Sequence, residues 1–136
     1  MAWLLDTNAW IHYWKNPQGV FVRRLLSKQP KDIVLCSVVL AEILLGAEKY
    51  GNKERRLNVI EETFEGLESF PFDDFAAEYY ALIRHNLEIK GTRIGPNDLM
   101  IAAIARSRGF VLVTSNIGEF SRVEGLRVED WTLPEN

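Results

Sequence analysis

Short apolar runs of strand length alternate with helix-length segments along the chain, and this alternation restricts the fold more than any other feature. Trp3–Asp6 reads as a strand, followed by two short helices, Thr7–Lys15 and Gln18–Ser27, parted by the turn signal Asn16-Pro17. Asp32–Cys36 is a second strand. Ser37 caps a helix that runs to about Tyr50 and stops at Gly51-Asn52. Lys53–Glu68 carries Leu57, Ile60, Phe64 and Leu67 at helical spacing, and Phe70–Phe72 is a brief extended piece. Asp73 or Asp74 caps a long helix through about Lys90, ended by Gly91. Gly95-Pro96-Asn97 opens a helix over Asp98–Ser107, closed by Gly109. Phe110–Thr114 and Leu126–Glu129 are the last strands. Strands separated by helices pair in parallel and need helices on both sheet faces. The expectation is an α/β protein, a three-layer α/β/α fold with a central parallel sheet. Its 136 residues form a single domain, large enough to bury a core without disulfides or structural zinc.

Three acids run against this pattern. Asp6 ends the apolar run Ala2–Leu5, Glu42 is the only charge between Cys36 and Ala47, and Asp98 opens the apolar stretch Leu99–Ala105. A carboxylate beside a core is costly unless it is paired, hydrogen-bonded or bound to a cation. Each has a modest explanation. Asp6 suits a helix cap, Asp98 complements a helix dipole, and Glu42 could sit in a buried ion pair. Asn116 is a ready turn former. Topology supplies a common one, because ligands in open parallel sheets collect beyond the carboxyl ends of the strands. Asp6 ends the first strand, Glu42 lies in the helix leaving the second, Asp98 begins the helix that feeds the strand ending at Thr114, and Asn116 follows that strand.

The donor chemistry narrows the cation. His12 and His85 are far apart and Cys36 is alone, so a typical zinc site is excluded. Oxygen ligands select Mg²⁺, with Mn²⁺ the plausible substitute. In that arrangement Asp6, Glu42 and Asp98 are the catalytic acids. Asp6 and Asp98 bind the metal directly, and Glu42 does so directly or through water. Thr114 and Asn116 support a carboxylate or a ligand water from behind, while Thr7 and Asn8 hold the Asp6 turn. Carboxylates that leave water on a hard cation fit phosphodiester hydrolysis.

The net charge of −3 argues against nonspecific coating of nucleic acid, yet permits a local basic rim. Lys49, Lys53, Arg55 and Arg56, with Lys90 and Arg93, are candidates for that rim or for solvated helix faces. No apolar run reaches membrane-spanning length, and the N-terminus lacks a basic region before its first acid. Together with a lone Cys36 this points to a cytoplasmic protein without membrane attachment. Trp10 and Trp14 form an aromatic ridge at i, i+4 spacing, either core or part of a partner groove.

The ordered segments Leu4-Leu5-Asp6-Thr7-Asn8, Ser37–Gly46, Pro96–Ala103, Leu112–Asn116 and Glu119–Leu126 resemble those of PIN-domain ribonucleases. The chain is most similar to the VapC toxins of bacterial VapBC toxin–antitoxin pairs, over nearly its whole length. The resemblance implies a Mg²⁺- or Mn²⁺-dependent endoribonuclease acting on structured RNA, transfer or ribosomal. It implies a cognate VapB-type antitoxin that covers the acidic pocket with an Arg or Lys, and commonly a homodimer. Asp6, Glu42 and Asp98 match the family's acidic positions. Its frequent fourth acid is matched by Asn116, so a three-carboxylate site with one firmly held metal is expected; Glu119 is the nearby substitute. Two other functions fit less of the chain. One is a catalytically weak PIN module that binds RNA or regulates a partner. The other is a phosphatase with Asp6 as nucleophile, which lacks the usual second acid at Asn8.

Overall fold

The computed structural model describes residues 1–135. Its elements follow in the order β1 (Trp3–Leu5), α1 (Thr7–Lys15), α2 (Val20–Leu26), β2 (Ile33–Cys36), α3 (Ser37–Lys49), α4 (Lys53–Phe64), β3 (Glu68–Phe70), α5 (Asp74–Ile89), α6 (Pro96–Arg108), β4 (Val111–Val113), α7 (Ile117–Phe120) and β5 (Val128–Glu129). The strands form one parallel sheet in the order β3-β2-β1-β4-β5, flanked by the helices as an α/β/α sandwich. Trp3 pairs with Ile33 on one side and Val111 on the other, so β1 is central. The order reverses direction at β1, since β2 and β3 lie to one side and β4 and β5 to the other. That switch point opens a crevice beyond the strand ends where a ligand can sit.

The central strands are buried on both faces: Leu4, Leu5 and Val111–Val113 are all fully enclosed. α6 is buried nearly all round, with Ile101–Ala105 at 1% exposure or less. A helix apolar on every side has to be internal, and this one carries Asp98 in its first turn. It packs against α5 and α3, and α3 also meets α1 and α4. Gly109 ends α6 in the left-handed conformation, φ +70°, which L side chains rarely adopt.

Several boundaries differ from the sequence expectation. α4 ends at Phe64 rather than Glu68, because the chain turns at Gly66, φ +81°, and enters β3 at Glu68. The strand therefore precedes Phe70–Phe72 and overlaps it only at Phe70. α6 begins at Pro96, two residues before Asp98, with the missing proline N–H placed at a helix start where no partner is needed. A 3-10 turn at Pro30–Asp32 and the one-turn helix α7 were not anticipated. Among the described residues, no helix is long and apolar enough to cross a membrane.

The aromatic ridge is corrected. Trp10 is 2% exposed and packs edge-on against Phe64 of α4 at 4.9 Å between ring centroids. Trp14 is half-buried, tilted against Phe64, and its Nε1 donates to Thr63 Oγ1 at 3.0 Å. The two indoles join α1 to α4. Trp10 lies in the core and cannot line a partner groove.

Candidate active site

Asp6 follows β1 directly, and its N–H donates to Val113 O at 3.0 Å, extending the sheet by one rung. Its carboxylate caps α1, accepting from Ala9 N at 2.8 Å. One oxygen thus does the work of an ordinary helix cap, yet the group is only 4% exposed. Burial pushes its pKa up, opposed by hydrogen bonds from Thr114 and Ala9 and reinforced by Glu42 and Asp130 nearby. Thr114, 1% exposed, ties the end of β4 to the turn after it: its Oγ1 accepts from Asn116 N at 2.9 Å.

Glu42 projects from α3 and is held at both oxygens by neutral donors. Thr7 Oγ1 donates to Oε1 at 2.6 Å and Asn97 Nδ2 to Oε2 at 3.3 Å. Thr7 therefore grips Glu42 across the site rather than the Asp6 turn, and Asn8 is exposed on α1. No arginine or lysine pairs with Glu42 among the described residues, which removes the buried ion pair as its explanation.

Asp98 is half-buried, and its pKa is pushed up to about 6. Burial is the main cause, followed by Glu119, Asp6 and Glu42. Those causes report the assembly: the four carboxylates stand close enough to oppose one another's ionisation.

At the fourth corner Asn116 stands beside Glu119, the substitute that the sequence offered. Asn116 Nδ2 donates to Glu119 Oε2 at 2.6 Å, and Gly95 N donates to Glu119 Oε1 at 3.0 Å. Asn116 thus holds the Glu119 carboxylate through its amide. The one-turn helix α7 brings residue 119 back over residue 116. Asn97 and Gly95 were also not read as contacts. Their only signal was membership in the Gly95-Pro96-Asn97 helix start.

The donor set is entirely oxygen, which suits a hard divalent cation. Cys36 is fully buried beside the site, and burial raises its thiol to about 11, so it stays protonated and is no ligand. Among the described residues, no three Asp, Glu, His or Cys side chains are placed to hold a metal ion together. What suits a hard cation is the oxygen chemistry of the acids that act on Asp98, namely Glu119, Asp6 and Glu42. Half of the expected basic rim is occupied: Lys53 pairs with Glu48 at 2.6 Å, Arg56 Nε donates to Tyr50 and Gly51 carbonyls, and Lys90 pairs with Glu124. Lys49, Arg55 and Arg93 remain exposed.

Known proteins share this whole frame. The PIN domain family matches residues 3–126. The tRNA(fMet)-specific endonuclease VapC of Shigella flexneri is 42% identical over 132 residues, covering 97% of this chain and 99% of that protein. The protein of the same description from Salmonella typhimurium is 40% identical, with 96% and 98% covered. Among solved structures, DNA-bound VapBC from Salmonella typhimurium aligns with a TM-score of 0.89 at 40% identity, covering 96% of this chain and 98% of that one. VapBC-1 from nontypeable Haemophilus influenzae aligns with a TM-score of 0.90 at 33% identity, covering 98% and 100%. With similarity running from β1 through the last strand, the chain belongs to the PIN-domain family, among the VapC proteins.

Proposed function

We propose that this chain is a metal-dependent endoribonuclease, the toxin of a toxin–antitoxin pair, which hydrolyses phosphodiester bonds in structured RNA. The observation that carries the reading is the ring of Asp6, Glu42, Asp98 and Glu119, none of which is in an ion pair among the described residues. The relatives named as tRNA(fMet)-specific endonucleases and ribonucleases support the nuclease, and make transfer RNA the first substrate class to test, with ribosomal RNA second. Asp6 and Asp98 would hold Mg²⁺ or Mn²⁺, with Glu42 and Glu119 binding directly or through water. When bound, such an ion supplies an acidified water and offsets charge building on the phosphate.

The chain's own residues do the positioning. Thr7 and Asn97 fix Glu42 from two sides, Asn116 and Gly95 fix Glu119, and Ala9 N fixes Asp6. Neutral donors restrict these three carboxylates without offering a counter-charge, so little reordering is left for the moment of reaction. The alternative is a catalytically weak PIN module, which would bind RNA without turnover in a cleavage assay.

Two partners follow. An antitoxin that covers the crevice with a cationic side chain is proposed from the similarity to the toxin chains of VapBC complexes. A second copy of the chain is proposed on α5, where Phe75, Leu82 and Ile89 recur seven residues apart and are 47%, 67% and 72% exposed. A location in the cytoplasm agrees with the RNA substrate and the unpaired Cys36.

The test is cleavage of purified transfer and ribosomal RNA with Mg²⁺, with Mn²⁺ and with a chelator, for the wild type and Asp6→Asn. The expected result is discrete cleavage with metal and none with chelator or variant. Undiminished cleavage by Asp6→Asn would refute the site.

A further inference from the structure

The strand that completes the sheet beside the site is only two residues long. β5 (Val128–Glu129) lies at the sheet edge, paired with β4 through Leu112–Val128 and Val113–Glu129. Its last rung is the donation from Thr114 N to Glu129 O at 3.0 Å. Two-residue edge pairing is marginal by itself, yet the Thr114 that it holds adjoins Val113, whose carbonyl accepts from Asp6 N. Something else has to fix β5.

That something is Arg24 on α2, whose side chain is 14% exposed. Its Nη1 donates to Asp130 O at 2.8 Å and Leu133 O at 2.9 Å. Its Nη2 lies 3.9 Å from Glu129 Oε1 and 3.7 Å from Glu135 Oε1. The planar guanidinium can serve several acceptors at once, as an ammonium cannot. Trp131, fully buried against Trp3 and Phe21, turns its Nε1 to the same Glu129 carboxylate at 2.9 Å. Beyond it, Asp130 Oδ1 accepts from Thr132 N and Thr132 Oγ1. Arg24 Nε is buried without a partner. An orphaned donor is a cost that plain tail docking, achievable with an apolar side chain, would avoid.

We propose that Arg24 is a positioning residue for the acidic site, acting through the segment Glu129–Leu133. By clamping that segment it sets the register at the end of β4, where the Val113 carbonyl accepts from Asp6 N at 3.0 Å and so fixes the residue that carries the carboxylate. This rests on the metal-dependent reading of the site. The path is contiguous: Arg24 to Glu129 and the Asp130 carbonyl, Glu129 O to Thr114 N, and the carbonyl of Val113, the next residue back along β4, to Asp6 N.

The test is Mn²⁺ titration of the full chain, followed by the electron paramagnetic resonance signal of free Mn²⁺, for wild type, Arg24→Gln and Glu129→Gln. Thermal melts without metal and steady-state RNA cleavage are run in parallel. Arg24→Gln is expected to raise the Mn²⁺ Kd about tenfold and lower kcat with KM for RNA little changed, at a temperature where the melt shows it folded. Glu129→Gln keeps acceptors for Trp131 and should raise Kd about threefold. Arg24→Lys should recover part of the loss, since it restores charge but not the fork. Both glutamine variants within twofold of the wild-type Kd, whatever their melting temperatures, would overturn the proposal. If Arg24→Gln does not fold, Glu129→Gln decides by the same twofold threshold. A wild type that binds no Mn²⁺ and cleaves RNA in chelator refutes the metal reading and this inference with it. A wild type that binds while the variants bind equally refutes the inference alone.

Discussion

Asp98→Asn should make the metal-free protein more stable while abolishing its chemistry, and the two signs have one cause. In the fold Asp98 titrates at about 6, against 3.8 ordinarily, because it is buried and faces Glu119, Asp6 and Glu42. That interval corresponds to roughly 3 kcal/mol between its protonated and ionised forms. At pH 7 the group is ionised in both folded and unfolded chains, so the folded state bears the penalty. Solvent at a half-buried carboxylate reduces it, leaving a gain of about 1–3 kcal/mol for the uncharged amide. The pH dependence has a definite sign. A raised carboxylate pKa stabilises the fold fully below about 4, and this contribution is lost as pH rises to about 6. The measurement is urea denaturation in chelator at pH 4, 5, 6 and 7. Wild type and variant should nearly coincide at pH 4 and separate by pH 7, with the variant the more stable. Saturating Mg²⁺ should then stabilise the wild type and not the variant. RNA cleavage should fall more than roughly a hundredfold, since even outer residues of a metal site are worth 10–100-fold. A variant less stable than wild type in chelator at pH 7 would refute the account of Asp98 as an acid held against mutual repulsion.

Removing the amide that holds the fourth acid, in Asn116→Ala, should lower cleavage about 10–100-fold with little change in melting temperature; unchanged cleavage would mean that Glu119 needs no support. Thr7→Val removes the 2.6 Å bond to Glu42 and should also slow cleavage about 10–100-fold, with Thr7→Ser near wild type because it keeps the hydroxyl. Trp10→Ala should cost about 3–5 kcal/mol in chemical denaturation, as expected for a buried aromatic ring. A loss below about 1 kcal/mol would return Trp10 to the surface role that its burial denies.

The residues that were legible and those that were not divide by how far their cause lies along the chain. Asp6 and Asp98 were readable because an acid adjoining an uninterrupted apolar run is anomalous within a few residues. Glu42 was readable for the same reason, and its partners were not: Thr7 is 35 residues away and Asn97 is 55. α6 was legible as an internal helix from its unbroken apolar composition, although its start lay two residues earlier, where proline takes the first position. α7 was missed because one helical turn carries no periodicity to detect. The pairing of Asn116 with Glu119 is local, but it depends on that turn. The tail was read only as a strand near Leu126–Glu129. The docking of Trp131 and the clamp by Arg24 span more than 100 residues, a separation at which sequence spacing carries no information.

The donors around the four acids explain why the site can serve a cation from outside. Had evolution needed only to neutralise Asp6, Glu42, Asp98 and Glu119, an arginine or lysine would suffice, as Arg108 does for Asp73 at 2.9 Å. Instead Glu42 is held by a hydroxyl and an amide, Glu119 by an amide and a backbone N–H, and Asp6 by a backbone N–H. Neutral donors fix a carboxylate without cancelling its charge. The cost is visible in the raised pKa of both Asp6 and Asp98. The benefit is a negative field concentrated at the sheet's switch point, which only an incoming cation can relieve. A metal ion and the cationic side chain of an antitoxin would then compete for the same field. It follows that raising Mg²⁺ should weaken an antitoxin contact made in the crevice, while leaving contacts elsewhere on the surface unchanged.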